Sequence, residues 1–303
     1  MHYAPRLIAC DGDHAMRWVT LCLLVGCVPP PVYRVQRTAR VPRPAAPLRT
    51  GEALAGPVEL SFGASSIGDV RSPRLVDDEA SLEVADQQYR GEARFRLGRA
   101  ELAPIFEYAG GNSMRALDRT QAPVGEGSVN GLGGAVRYSI DASEGFSFGI
   151  GLEAMNWEIP YVEYRTCVEY CEENNAPQMQ VRHGVENVAS WAFSFTPTYR
   201  RGPIAIFAGA YMRQHPTIER KGTELFQEER DEDVAVGPNN WLLHAGVEWR
   251  LPYVSVLAQV QQTITRDPIW YGPSFGFAIA ARLPEFSLPK STPPTGDGPA
   301  QPW

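Results

Sequence analysis

The sequence predicts an all-β chain that folds as an antiparallel transmembrane β-barrel of about ten strands, with short periplasmic turns and long outer loops. Three observations indicate this fold class. Runs of alternating apolar and polar residues recur about ten times, each near the ~9–11 residues with which a barrel strand crosses a membrane. Tight and long connections alternate between the runs, in a chain with 28 Gly and 26 Pro. Lysine occurs only at Lys221 and Lys290, outside every run.

Composition narrows the remaining classes. The chain has 303 residues, of which 44% are hydrophobic and 21% charged, so it is long enough and apolar enough to fold. A net charge of −7 argues against a nucleic-acid binder, which needs basic patches to neutralise phosphates. No apolar run reaches the roughly 18–20 residues of a spanning helix. A helical membrane protein is therefore excluded, whereas a barrel is not.

Residues 1–27 form the first element, a signal segment. Met16 and Arg17 open an apolar run that ends in Leu24-Val25-Gly26-Cys27. This pattern is typical of a secretory signal. The tetrapeptide at 24–27 resembles the lipobox of bacterial lipoproteins, and that resemblance implies that Cys27 carries a diacylglyceryl group and is the mature N-terminus. The alternative is a signal without lipidation.

Two further expectations follow from this segment. Residues 1–15 contain charged and polar residues unsuited to a signal, so we expect Met16 to be the initiator and 1–15 not to be translated. Val28, in place of Asp after the cysteine, fits outer-membrane sorting in the lipoprotein pattern.

Two Pro-rich segments flank the predicted barrel. Residues 28–57 contain seven prolines and five arginines against the single acid Glu52. Such a composition predicts an extended linker that tethers the lipid to the folded domain, or a basic strip on anionic lipid or cell wall. The tail 284–303 has the composition of a disordered segment. The barrel is thus predicted over 58–283.

The strands follow from period-two alternation. Between Ser190 and Tyr199, for example, aromatic residues share one face and small polar residues share the other. The ten runs lie at 58–66, 88–97, 100–110, 131–141, 145–156, 188–199, 203–213, 239–250, 253–264 and 272–283.

The connections set the orientation. Tight turns at 98–99, 142–144, 200–202 and 251–252 alternate with long links. In outer-membrane barrels the short turns are periplasmic and the long loops are external. An even strand count then leaves both termini on the periplasmic side. The long links are 67–87, 111–130, 157–187 and 214–238, with a shorter one at 265–271.

Alternation does not decide which face meets lipid, and the alternative is a soluble sandwich or lipocalin-like barrel with its apolar face inward. The small residues of the polar face favour a crowded lumen, and aromatic residues at both strand ends match the girdles of membrane barrels. The chain resembles the small outer-membrane β-barrel superfamily over most of 58–283, although no motif names a subfamily. The interface aromatics are Tyr108, Tyr138, Trp191, Tyr199, Trp241, Trp249 and Tyr253.

With the apolar face outward, charges of both signs point inward. Because buried charges must be paired, and a ten-stranded lumen is narrow, we expect an ion-pair network that fills it. The alternatives are a narrow conductance path, or an anion site at Arg90, Arg94 and Arg96 around Glu92. The predicted network comprises Glu59, Arg90, Glu92, Arg94, Arg96, Glu101, Glu107, Arg137, Glu153, His244, Glu248, Arg250 and Arg282, with Gln259 and Gln261 beside them.

Histidines are the candidates for enzymatic chemistry. His244 is the only one on a predicted strand, and we interpret it as a hydrogen-bonded lumen residue, with a catalytic base as the alternative. His183 and His215 lie in long loops. No motif brings a nucleophile, base and orienting group together. The sequence therefore predicts no catalytic residue; a barrel-rim protease or lipid hydrolase is the alternative.

Only Cys167 and Cys171 remain in the folded part, since Cys10 and Cys22 precede Cys27. An exported pair predicts a disulfide that closes a small loop. Half of a metal site is the alternative, but no second pair exists, so neither a metal nor a cofactor is predicted. Tyrosines on the same loop suit contact with a partner: Tyr161, Tyr164 and Tyr170.

The long loops carry most of the negative charge. The links 67–87, 157–187 and 214–238 each have a net charge of about −4. Such loops keep the protein soluble, bridge through divalent cations to lipopolysaccharide phosphates, or bind an envelope or extracellular protein. The expected surroundings are outer-membrane lipids, and no nucleic acid.

The sequence thus predicts a lipid-anchored outer-membrane barrel with a charge-filled lumen. Its expected role is structural or adhesive, or as the membrane platform of an envelope complex. The alternatives are a narrow channel, a rim hydrolase and a soluble exported β-protein.

Overall fold

A computed structural model describes residues 29–67, 70–71, 80–115, 127–214, 239–264 and 270–283. No helix in these ranges is long and apolar enough to span a membrane. The strands are β1 (Val32–Val41), β2 (Val58–Ile67), β3 (Val70–Arg71), β4 (Ala80–Leu97), β5 (Ala100–Arg115), β6 (Val129–Ser143), β7 (Phe146–Glu169), β8 (Met179–Arg201), β9 (Ile204–Gln214), β10 (Asn239–Arg250), β11 (Val254–Thr263), β12 (Trp270–Tyr271) and β13 (Ser274–Leu283).

Ten of these strands close into a barrel. The order β4-β2-β13-β11-β10-β9-β8-β7-β6-β5 is completed by pairing of β5 with β4. Every neighbouring pair is antiparallel, from Val58 opposite Leu283 to Leu97 opposite Ala100. The predicted fold class, an all-β ten-stranded antiparallel barrel, is therefore confirmed. Closure leaves no unpaired edge within the ring.

The barrel wall exposes its apolar side chains and buries its polar ones, the reverse of the distribution in a soluble protein. Along β13, exposed and buried residues alternate without interruption. Phe277 and Ile279 are 65% and 61% exposed, whereas Ser274 and Arg282 are buried. Within the barrel wall the other strands repeat this pattern over most of their length, with aliphatic and aromatic side chains outward and glutamate, arginine, glutamine and serine inward. A protein with its apolar face inward would show the opposite arrangement.

At the long-loop end, β7 and β8 continue past the barrel as a hairpin. They stay paired from Phe146 opposite Tyr199 to Thr166 opposite Met179. Most of the link predicted at 157–187 is therefore strand, because the cross-strand ladder continues where the apolar alternation ends. A turn at 170–178 connects the two strands, and Cys167 and Cys171 form a disulfide across its start.

The segment 28–57 differs from the predicted linker wherever the structure describes it. β1 pairs with β7 of the projecting hairpin, from Val32 opposite Glu169 to Ala39 opposite Tyr161, and in parallel with the outer part of β4. Residues 42–47 and 49–51 are buried, prolines included. We call residues 42–55 the lumen segment, because they run inside the barrel before β2 begins at Val58.

The two ends of the described chain lie at opposite ends of the barrel. Leu283 pairs with Val58 at the short-turn end. Pro29 lies at the long-loop end, where its carbonyl accepts a hydrogen bond from Nδ2 of Asn174 at 2.8 Å. The termini themselves lie outside the described residues, so the prediction that both share the short-turn side stays a prediction, although the path from Pro29 does not enter the barrel directly at β2.

The occupied lumen as candidate functional site

A cluster of six charged side chains lies in the middle of the lumen. Arg90 of β4 binds three carboxylates, with distances of 2.5 Å to Glu92, 2.5 Å to Glu107 and 3.0 Å to Glu153. Arg137 of β6 lies 3.0 Å from Glu92 and 2.9 Å from Glu153. Three arginines thus face three glutamates; the cluster comprises Arg90, Glu92, Glu107, Arg137, Glu153 and Arg213.

Neutral side chains complete this central cluster. Gln88 donates a hydrogen bond to Glu107 at 2.6 Å, and the hydroxyl of Tyr211 donates to Glu153 at 3.4 Å. The guanidinium of Arg213 lies 3.3 Å from Glu107 and 4.4 Å from the ring centre of Trp157. Trp157 and Glu107 are both fully buried. The charges of Arg213 and Glu107 are therefore compensated by each other and not by bulk water.

A second cluster lies at the short-turn end. Glu59 of β2 is ion-paired with Arg94 and, at 3.1 Å, with Arg282. Glu248 of β10 is ion-paired with Arg200 and, at 3.1 Å, with Arg250. Arg282 also lies 3.5 Å from Glu248, so the cluster links β4, β2, β13, β10 and β8 along the barrel wall.

The lumen segment forms ion pairs with the wall, some of them with members of this second cluster. Arg49 lies 3.2 Å from Glu101 of β5, and the backbone NH of Leu54 donates to the same carboxylate at 3.0 Å. Glu52 lies 2.6 Å from Arg200 and 2.8 Å from Arg250. The segment is therefore held by the wall through side chains of opposite charge.

Its backbone is also bound by the wall. The NH of Ala46 donates to Gln261 at 2.8 Å, and its carbonyl accepts from Gln259 at 3.4 Å. The NH of Gly51 donates to the hydroxyl of Thr198 at 2.8 Å. These bonds satisfy peptide groups that water cannot reach. Prolines in the segment reduce the number of donors that need such partners.

Glycine permits the closest contact between segment and wall. A Cβ built on Gly149 of β7 would lie 2.6 Å from the Cα of Gly51, and one built on Gly51 would lie 1.8 Å from the carbonyl oxygen of Thr196. Any larger side chain at either position would push the segment from the wall. Leu48 fills the lumen similarly, 2.6 Å from a Cβ placed on Gly63.

The structure brings together most of the predicted lumen residues. Glu59, Arg90, Glu92, Arg94, Glu101, Glu107, Arg137, Glu153, His244, Glu248, Gln259, Gln261 and Arg282 are buried in the lumen, and Arg250 is half-buried.

Arg96 is the exception. It is exposed at the rim, where its Nε donates to the carbonyl of Gly98 at 3.2 Å. Its cross-strand neighbour is Glu101, but Arg49 of the lumen segment occupies that carboxylate. The arrangement favours the predicted network over the alternative of an anion site, because Arg90 and Arg94 are bound to glutamates and Arg96 is exposed at the rim.

Sequence reasoning missed several members of the site. Arg213 and Tyr211 share an inward face that the alternation of β9 already shows, so pattern alone could have found them. Arg49 and Glu52 lie in the Pro-rich segment, which has no periodicity. Their contacts are made with residues far away in sequence, and no local signal marks them.

The two histidines within the described residues lie in different parts of the molecule. His244 lies in the lumen with its ring centre 6.2 Å from that of Phe207, whereas His183 is exposed on the projecting hairpin. His215 lies outside the described residues. Within the described ranges, no three His, Cys, Asp or Glu residues form a group that could hold a metal ion.

The interface aromatics all point outward. Tyr108, Trp191 and Trp241 are exposed toward the long-loop end. Tyr89 stacks on Phe62 with ring centres 6.2 Å apart, and its ring is tilted against that of Tyr108 at 6.1 Å. The other four are exposed toward the short turns: Tyr138, Tyr199, Trp249 and Tyr253.

Several predicted features lie partly or wholly outside the described residues. These are Cys27 and the rest of the signal segment, the tail 284–303, and the acidic stretches 72–79 and 215–238. On the hairpin, which is described, Tyr170 is exposed near the disulfide. Tyr161 and Tyr164 are partly buried and lie in the stretch that pairs with β1.

Comparison with known proteins yields structural likeness only. No family model and no curated protein matches the sequence. The crystal structure of Neisserial surface protein A is 8% identical, with 75% of this chain and 97% of that chain covered and a TM-score of 0.34. The translocator domain of the autotransporter NalP from Neisseria meningitidis is 10% identical, with 77% of this chain and 91% of that chain covered and a TM-score of 0.42. LpxR from Salmonella typhimurium is 8% identical, with 74% of this chain and 100% of that chain covered and a TM-score of 0.36.

Proposed function

We propose that the protein is a bacterial outer-membrane β-barrel that serves as a non-conducting, non-enzymatic platform. It presents the β7–β8 hairpin and β1 at its outer face, as an adhesive or assembly surface. The observation that carries this proposal is the combination of an apolar exterior with a lumen filled by ion pairs and by the protein's own chain.

The membrane location is supported by dimensions as well as polarity. Ten residues of β13 at about 3.3 Å each and a tilt near 45° span about 23 Å, close to the ~25 Å apolar band of outer-membrane barrels. The exposed aromatic side chains lie toward both ends of this band, where such residues prefer the headgroup region. A soluble barrel would need to hide this surface.

The platform role is supported by the occupied lumen. The central cluster and the lumen segment cross the interior at several depths, which disfavours a diffusion path. The hairpin is the largest described element beyond the barrel, and it is stabilised by β1 on one side and by the disulfide at its tip. Exposed Tyr170, Val181 and Val185 on it suit contact with a protein partner.

Heat modifiability tests the membrane barrel directly. Protein extracted from outer membranes is run on gels with and without boiling, and a faster band in the unboiled sample is expected. The matched control is Ile279→Arg, which places a charge on the outward face at mid-strand and should reduce recovery in membranes. Recovery of the native protein in the soluble fraction, with no shift on boiling, would contradict the proposal.

A further inference from the structure

The direction in which the lumen segment runs has a consequence for where the N-terminal part of the protein lies. Successive residues of the segment contact the barrel at successive levels, starting from the long-loop end. Arg40, just before the segment, donates to the carbonyls of Gly111 at 2.6 Å and Gly127 at 2.7 Å, both at the long-loop ends of β5 and β6. Ala46 binds Gln259 and Gln261 inside the barrel.

The second half of the segment continues toward the short turns. Gly51 binds Thr198 near the end of β8. Glu52 reaches Arg200 and Arg250, which border the turns after β8 and β10. The carbonyl of Pro57 then accepts a hydrogen bond from the NH of Arg96 at 2.9 Å, beside the turn after β4. The segment thus crosses the whole lumen from the long-loop end to the short-turn end.

The length of the segment fits this path. From Arg40 to Glu52 the chain has twelve residue steps, which reach at most about 40 Å when extended. The hydrocarbon core of a bilayer is about 30 Å thick. A chain of this length therefore has enough reach for one crossing and too little for a return.

The residues before Arg40 pair with strands at the long-loop end of the barrel. β1 lies between the hairpin strand β7 and the outer part of β4. Ala39 and Val41 pack into an apolar layer with Val84, Trp157 and Ile159. Gln180 of the hairpin donates to the hydroxyl of Tyr33 at 3.2 Å. These contacts fix β1 as part of the projecting structure.

We infer that residues 29–41, which include β1, are displayed on the outside of the cell because the lumen segment that follows them threads through the barrel to the short-turn end. Pro29, the first described residue, already lies at the long-loop end of the barrel, bound to Asn174 of the hairpin turn. The inference uses the proposed membrane location only to name the two sides.

Thiol labelling of intact cells tests the topology. Three single substitutions are compared with the unsubstituted protein as background: Pro30→Cys, Glu173→Cys in the hairpin turn and Glu144→Cys in a short turn, all at exposed positions. A membrane-impermeant maleimide is applied before and after permeabilisation of the outer membrane. Labelling is read by mass shift on the purified protein.

The inference predicts that Pro30→Cys and Glu173→Cys are labelled in intact cells, and that Glu144→Cys gains at least tenfold on permeabilisation. Labelling of Pro30→Cys only after permeabilisation, with Glu173→Cys labelled before it, would overturn the threaded path while leaving the barrel in place. Equal labelling of all three in intact cells would overturn the membrane barrel and the inference together.

Discussion

Replacement of Arg90 by methionine tests the central cluster most sharply. Arg90 contacts three glutamates, and its loss leaves Arg137 and Arg213 to balance Glu92, Glu107 and Glu153. Breaking a buried ion pair by removing one partner costs about 3–5 kcal/mol, because a charge stays buried without compensation. We expect Arg90→Met to lower the free energy of unfolding by an amount in this range.

The assay is urea unfolding in phospholipid vesicles, followed by tryptophan fluorescence. The matched control is Arg96→Met on the same strand, which removes an exposed arginine and should change the free energy of unfolding by less than ~0.5 kcal/mol. The double variant Arg90→Met with Glu153→Gln restores a balance of two arginines and two glutamates. It should be more stable than the sum of the single effects predicts, with a coupling of roughly 0.5–3 kcal/mol.

Two results would refute the reasoning. Arg90→Met could equal Arg96→Met within error, which would mean that the central cluster is hydrated. The two single effects could add within ~0.3 kcal/mol, which would mean that Arg90 and Glu153 do not interact.

Three further variants test other parts of the structure. Gly149→Val would place a side chain against Gly51 and should displace the lumen segment, so that discrete conductance appears in planar bilayers. The control is Gly91→Val, whose Cβ would meet nothing within 4 Å and which should stay closed. Closure of both variants would contradict the close contact between Gly149 and Gly51. Ile279→Arg should destabilise the barrel by ~2–4 kcal/mol and Tyr253→Arg, near the short turns, by ~0–1 kcal/mol in vesicle unfolding; equal costs would argue against an apolar band centred on Ile279. Cys167→Ser should remove about 2 kcal/mol of local stability and speed proteolysis of the hairpin, with the unfolding midpoint of the barrel unchanged; a lower midpoint would show that the disulfide supports the barrel itself.

The barrel strands could be predicted because their signal is local. Period-two alternation follows from the pleat, and the ten runs correspond to β2, β4–β11 and β13. The ends of the strands were harder to predict. The strands β7 and β8 remain paired beyond Trp157 and Val188, where the alternation of apolar and polar residues has already ended. Arg96 shows the same limit, because its alternation points inward although its strand has already reached the rim.

The lumen segment could not be predicted from sequence, because a tether and a lumen filler share one composition. Its partners are distant: Ala46 and Gln261, for example, are 215 residues apart. Prolines suit both a solvated spacer and a chain confined in a narrow lumen, since they lack an NH that needs a partner. Only the closed barrel shows that Arg49 meets Glu101 and that Glu52 meets Arg200.

The measurement that tests the central claim most directly is planar-bilayer conductance of the whole protein beside a variant that lacks residues 42–54. The account predicts no discrete openings for the whole protein and stable openings for the deletion variant, with a heat-modifiable band in both to show that the barrels are folded. Equal conductance of the two folded barrels, or closure of both, would contradict a lumen that is closed by the lumen segment.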